Sequence, residues 1–217
     1  PSIIEALKII PREEAYWQVH FPSDSHSLDK ALFRLKFEEL FFIQLRLLKL
    51  KLIRLEKSNG VRFDKVGAYL NDFYSTNLPF ALTNAQKKVI KEIRADLGSG
   101  KQMNRLLQGD VGSGKTIVAL MCMLIALDNG YQACLMAPTE ILAQQHFQSL
   151  TKLTEGLPLE VQFLSGSIKG VKRKKVLEEL SKGNISILVG THALIEDNVE
   201  FKNLGFVVVD EQHRFGV

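Results

Sequence analysis

Cysteine is nearly absent from the 217 residues: there are two, Cys122 and Cys134. Each falls inside an apolar run without C-x-x-C spacing or paired histidines, which excludes a zinc site or a disulfide framework and predicts buried free thiols in a reducing compartment. Long apolar runs are missing too. The stretch from Thr116 to Leu127 is too short to cross a bilayer, and the N-terminus has no basic-then-apolar signal pattern, so a soluble cytoplasmic protein is expected. There is no internal repeat and no low-complexity tract. Neither sign of charge dominates, with 28 Lys and Arg against 24 Asp and Glu and a pI near 9.0. That balance permits an anionic partner such as nucleic acid without demanding one.

What is present is an ordinary globular composition, 46% hydrophobic, and a length that suits one sizeable domain plus an appendage. Residues 1 to 27 carry Pro1, Pro11 and Pro22 and read as a short helix or extended connector. From Leu28 to Lys57 there is neither Gly nor Pro, and Phe41, Leu45, Leu48, Leu52 and Leu55 recur at helical spacing. Leu47, Leu50 and Ile53 make this long helix apolar on its other side too, so it is expected to pack against more than one element. Its basic residues Arg46, Lys49, Lys51, Arg54 and Lys57 suit a solvated face or a phosphate backbone. Ser58-Asn59-Gly60 is a turn signal, Phe63 to Phe73 a shorter helix, and Thr76-Asn77-Leu78-Pro79 a linker, which predicts a domain boundary near residue 78. The chain starts on Pro1 and stops shortly after a strand end, as a piece of a longer protein would.

Beyond residue 78 helical and strand patterns alternate. Thr83 caps a helix to about Asp96, Asn104 to Gln108 reads as a short buried strand, and Ile117 to Leu127 as an apolar helix. Strands are expected at Ala133 to Ala137, Val161 to Leu164, Ile185 to Val189 and Phe206 to Val209, with helices at Glu140 to Lys152 and Lys169 to Ser181. Such alternation predicts an α/β fold, a parallel sheet with helices on both faces, and ligands at the carboxyl ends of the strands.

Between the first of these strands and its helix lies Gly109-Asp110-Val111-Gly112-Ser113-Gly114-Lys115-Thr116, a full match to the G-x-x-x-x-G-K-[ST] phosphate loop. Its glycines let the chain turn tightly and point backbone N–H groups at phosphate oxygens. Lys115 supplies a mobile positive charge for the β- and γ-phosphates, and Thr116 opens the helix with a hydroxyl suited to Mg²⁺. The apolar run Phe206 to Val209 then ends in Asp210-Glu211-Gln212-His213. In a phosphate-loop fold the first acid holds Mg²⁺ and the second takes the proton from, or orients, an attacking water. A nucleotide kinase has no need of that second acid, so water is the expected acceptor.

Together these residues resemble the first motor domain of a superfamily 2 helicase of the DExH type, with a RecA-like fold. The likeness rests also on Met136-Ala137-Pro138-Thr139-Glu140-Ile141-Leu142-Ala143, Gly190-Thr191-His192-Ala193-Leu194 and the run from Asp210 to Val217. Within the superfamily it is similar to bacterial helicases that act on branched DNA in repair and recombination. The resemblance is specific over 78–217 and looser over 1–77, which would correspond to a helical connector following a DNA-binding wedge domain.

The resemblance implies ATP and Mg²⁺ as cofactors and branched DNA as partner. It implies that Phe80 packs near the adenine and that Gln86 bonds its edge through a carboxamide. Pro138 and Thr139 would hold a DNA backbone, joined by Gly166 and Ser167 after one strand and Thr191 and His192 after another. Glu140 stands where Arg is usual, which excludes a cationic phosphate contact there. His213 would couple nucleotide to DNA. Lys169, Lys172, Arg173, Lys174 and Lys175 suit a phosphate backbone or a solvated face. Catalysis would need an arginine from a second motor domain, so residues 1 to 217 alone are expected to be nearly inactive. Two other readings stay open: a transcription-repair coupling translocase, and a nucleotide-gated DNA-binding module without turnover.

Overall fold

The computed structural model describes residues 3–57 and 60–215, and the chain divides into two compact units, Pro1–Ser58 and Asn59–Val217. The first contains α1 (Ile3–Ala6), α2 (Arg12–His20) and α3 (Ser25–Lys57). The long helix begins three residues before the expected start because Asp24 caps it. The Asp24 carboxylate accepts from the Ser27 backbone N–H at 2.8 Å and from the Ser27 hydroxyl at 2.9 Å, satisfying donors that a helix start leaves free. The helices α2 and α3 pack against each other, and each buries one alanine completely, Ala15 and Ala31. Glu38 receives Arg12 at 3.2 Å and Arg34 at 3.0 Å.

Past that contact the expected burial of α3 is not seen. Leu40, Phe42, Leu45, Leu47, Leu48, Leu50 and Leu52 are all exposed, as are Arg46, Lys49 and Lys51. The side chains of Arg54, Leu55 and Lys57 lie outside the described residues, as do Ser58 and Asn59 of the turn signal.

The second unit is an α/β layer structure. In chain order it has α4 (Ala68–Asp72), a π-turn at Phe73–Asn77, α5 (Asn84–Leu97), α6 (Lys115–Asp128), β1 (Gln132–Met136), α7 (Glu140–Leu153), β2 (Val161–Leu164), α8 (Gly170–Lys182), β3 (Ile187–Gly190) and β4 (Leu204–Val209). All four strands are parallel, in the order β2-β3-β1-β4. Alternate side chains of β1 explain the layering. Ala133 and Leu135 join the core under α6, with Leu150 of α7, while Cys134 faces a second cluster with Leu180 of α8 and Leu188. Helices therefore cover both faces. Burial pushes the Cys122 and Cys134 thiols up to about 12, so both stay protonated and unreactive at neutral pH.

Two expectations fail here. The boundary between units falls at residues 58 and 59 rather than near 78, because Phe63, Leu70 and Phe73 enter the same core as α6. The expected helix from Phe63 shrinks to α4. Its start is set by Asp128, whose carboxylate accepts from the Tyr69 and Leu70 backbone N–H groups at 2.9 and 3.3 Å, the role of an N-cap supplied from another helix. Asp128→Ala is expected to cost about 1–2 kcal/mol, read as a lowered urea midpoint, with Asp128→Asn retaining most of it.

The segment Asn104 to Gln108 is not a strand. Leu106 is exposed, and Arg105 ties the segment to α5 through Glu92 at 3.0 Å and through Asp96. Three polar residues among five give it little strand preference of its own, and the outer edge of β4 carries no partner among the described residues.

Candidate functional site

The phosphate loop starts α6. Gly114 sits at φ +78°, and a Cβ there would lie 2.4 Å from the Gln86 amide nitrogen, so glycine is required twice over, for conformation and for space. Gln86 is held from both sides. Its Oε1 accepts from the Thr83 backbone N–H at 2.9 Å, its own backbone N–H donates to the Thr83 hydroxyl at 3.2 Å, and its Nε2 donates to the Ser113 carbonyl at 2.9 Å. The capping box of α5 thus doubles as a strut for the loop. The carboxamide keeps one N–H and one lone pair for anything further, and only these remain for an adenine edge. Phe80, half exposed, lies alongside the same point of the loop.

The remainder of the loop is open. Val111 is fully exposed, Gly112 adopts φ +79°, and the Ser113 N–H donates to the Asp110 carbonyl at 3.1 Å. Lys115 folds back so that its Nζ donates to the Gly109 and Asp110 carbonyls at 2.7 and 2.8 Å. An ammonium with three donors is satisfied there by two carbonyls and stays close to where phosphate oxygens would sit.

The loop lies at the carboxyl edge of the sheet. Fourteen residues make α6 about 21 Å long, and a tight turn at Asn129–Gly130 feeds its end into the start of β1. A helix packed along parallel strands and leaving at their amino edge must begin at the opposite edge. There β4 ends in Asp210, whose backbone N–H donates to the Met136 carbonyl at 2.8 Å and prolongs the ladder by one residue. Its Oδ2 lies 2.7 Å from His146 Nε2.

Glu211 follows at φ +49° and ψ +48°, a left-handed conformation that costs a non-glycine residue about 1–3 kcal/mol. Strain of this kind is kept where geometry matters. Its carboxylate is partly exposed, 3.4 Å from His213 Nε2. His213 is largely exposed, and Gly216 and Val217 lie outside the described residues.

Thr116 in the first turn of α6 and Asp210 after β4 offer one hydroxyl and one carboxylate. That donor set fits Mg²⁺, which takes one or two protein oxygens and fills its remaining positions with phosphate and water. No cluster of three or more His, Cys, Asp or Glu able to hold a metal occurs among the described residues, which excludes an all-protein cage there.

The other strand ends lie side by side, since the register aligns Met136 with Gly190 and Gly190 with Leu164. Thr139 caps α7, its hydroxyl accepting from the Leu142 N–H at 3.3 Å. Glu140 gathers the neighbouring loop. Its Oε1 accepts from the Ser165 hydroxyl at 3.1 Å and from the Ser167 hydroxyl, and the two serines are 2.8 Å apart. Pro138 is half-buried, and Thr139, Gly166, Ser167 and His192 are exposed along this edge. Thr191 is not brought to the surface; it is buried, as is Ser165. Of the basic residues on α8, Arg173 is committed to Glu196 at 2.7 Å.

Sequence reasoning missed His146. The signal was its place on α7, three residues after Ala143 and four before Leu150, both fully buried, which puts an imidazole on the core-facing stripe.

Three comparisons bear on the site. Residues 83–217 match the family model described as DEAD/DEAH box helicase. The whole chain is 47% identical over 216 residues to the ATP-dependent DNA helicase RecG of Synechocystis sp., covering 26% of that protein. It is 48% identical over 213 residues to RecG of Bacillus subtilis, with 98% of this chain and 31% of that protein covered. A solved structure of RecG bound to a three-way DNA junction superposes with a TM-score of 0.89 at 44% identity, over all of this chain and 30% of that one. The chain therefore spans about a quarter to a third of the length of the relatives it matches.

Proposed function

The chain belongs to the DEAD/DEAH box helicase family, and from that premise we propose that it is the ATP-binding lobe of a helicase or translocase that acts on branched DNA in repair and recombination. The observation that carries this is that α6, which the phosphate loop starts, runs back to the amino end of β1 while Asp210 and Glu211 follow β4, so that loop and acids share the carboxyl edge of the sheet with three strand ends that carry exposed small and polar residues. The second unit, Asn59–Val217, serves as the first motor domain, with Phe63, Leu70 and Phe73 built into its core, and Pro1–Ser58 as its helical connector. The junction-bound relative supports the choice of DNA. A cytoplasmic site of action accords with the lack, among the described residues, of any helix long and apolar enough to span a membrane.

In this reading Gly109 to Thr116 wraps the triphosphate. Lys115 leaves the two loop carbonyls for the β- and γ-phosphates, and Gln86, already fixed to Ser113, keeps the loop in shape while Phe80 packs near the base. Thr116 and Asp210 would hold Mg²⁺, which when bound would neutralise charge on the triphosphate. Glu211 accepts the proton of the attacking water. Thr139, Ser167 and His192 offer hydrogen bonds to a DNA backbone, with Glu140 shaping the loop from which Ser167 projects. His213, next to Glu211, links the two sites. A second motor domain and a wedge domain of the same protein complete the machine.

The test is ATP turnover by the intact protein with a three-way junction, a linear duplex of equal length and no DNA. Stimulation by the junction well above that by the duplex is expected. Hydrolysis absent under all three conditions would instead favour a nucleotide-gated binding module, and displacement of stalled RNA polymerase with no junction preference would favour the transcription-coupled reading.

A further inference from the structure

We propose that His146 is a positioning residue for the nucleotide site: its imidazole fixes the Asp210 carboxylate so that one oxygen is held by protein and the other faces the metal. The inference rests on the reading of Asp210 as the acid that holds Mg²⁺.

The geometry is specific. His146 Nε2 and Asp210 Oδ2 are 2.7 Å apart, with the histidine side chain 17% exposed and the aspartate 31%. The Asp210 backbone is fixed independently, through its N–H to the Met136 carbonyl at 2.8 Å. With backbone and Oδ2 both tied, rotation about the side-chain bonds is restricted, and Oδ1 is the oxygen left for another partner. An Asp at the end of an edge strand would otherwise sample several rotamers, and each wrong one would have to be reversed when the metal arrives.

The histidine can serve as a fixed post because its helix is itself pinned. Ala143 and Leu150 flank it on the buried stripe of α7, and Thr139 caps the helix. The same helix carries Glu140, which receives the Ser165 and Ser167 hydroxyls. One rigid element thus touches both the acid after β4 and the loop after β2. Partners that orient a ligating carboxylate typically change metal affinity 10- to 100-fold when removed.

The experiment compares the intact protein with its His146→Gln and His146→Asn variants. The Gln amide nitrogen stands close to where imidazole Nε2 stands, whereas the Asn amide falls short of Asp210; a role in packing alone would not separate these two polar replacements in that order. Binding of Mn²⁺ to the protein–ADP complex is followed by electron paramagnetic resonance, and affinity for metal-free ADP by a fluorescent analogue in chelator. The expected result is Mn²⁺ affinity about 10-fold weaker or more in His146→Asn, largely restored in His146→Gln, with metal-free ADP affinity unchanged in both. Parent-like Mn²⁺ binding by His146→Asn, or equal losses in the two variants, overturns the positioning role. Asp210→Asn separates the premise: if it too binds Mn²⁺ like the parent, the reading of Asp210 fails and the proposal with it, whereas loss in Asp210→Asn with none in His146→Asn overturns the role of His146 alone.

Discussion

Glu211→Gln in the intact protein is expected to lower kcat for ATP hydrolysis by about 10²- to 10⁴-fold, the usual share of a general base, while ATP affinity stays near that of the parent. The substitution is nearly isosteric and inherits the same left-handed backbone at φ +49°, so it removes a proton acceptor without altering the conformational strain. A group that acts only as the bond to the attacking water forms should reduce kcat and kcat/KM together. Phosphate-release kinetics and fluorescent-nucleotide titration on the same preparation measure both. Unchanged turnover would remove Glu211 from the chemistry. The nearby His213 cannot mimic the effect, since at 3.4 Å from the carboxylate it contacts Glu211 only loosely and is itself mostly exposed.

The elements that were legible in the sequence are those whose own residues dictate them. The run from Thr116 to Leu127 is apolar all round and becomes α6, with Leu120, Met123 and Leu124 fully buried. Thr83 and Gln86 form their capping box with each other, so the start of α5 was legible from local spacing. Where a distant residue makes the decision, local pattern failed. Asp128 sets the start of α4 from fifty-nine positions away along the chain, and no window around Phe63 contains that information. The apolar Phe63 and Phe73 looked like a connector's helix because the core they enter, with α6 and Tyr131, is equally remote.

The site divides the same way. Glycine spacing announces the phosphate loop, and an apolar strand ending in two carboxylates announces Asp210 and Glu211, because each signature is contiguous. The contact of His146 with Asp210 and the gathering of Ser165 and Ser167 by Glu140 depend on where the β2-β3-β1-β4 order places the strand ends and on the path of α7 across them. Only a fold supplies that order. Glu140 shows the difference most clearly: as a departure from the usual Arg it signalled a lost phosphate contact, whereas in the structure it is an acceptor for two hydroxyls.

Lys115→Ala is expected to fail earlier in the cycle than Glu211→Gln, at binding. The Lys115 Nζ now rests on the Gly109 and Asp110 carbonyls, and those acceptors face solvent, so water replaces the ammonium when it is removed. The thermal midpoint should therefore be unchanged. A triphosphate loses more. Backbone N–H groups of the loop supply dipoles, but Lys115 supplies the one full positive charge the loop itself can direct at the β- and γ-oxygens. Loss of such a preorganised donor costs about 10²- to 10³-fold in turnover, and because the charge also meets the ground-state phosphates, ATP affinity should weaken by at least about tenfold, on the order of 1.4 kcal/mol. Lys115→Arg should not rescue it: a longer, planar fork does not sit as a compact charge between two phosphates. Parallel titration of ATP against both variants and Glu211→Gln checks the order of events. Normal ATP binding by Lys115→Ala would move the triphosphate off the loop, and with it the role of every residue placed by reference to that loop.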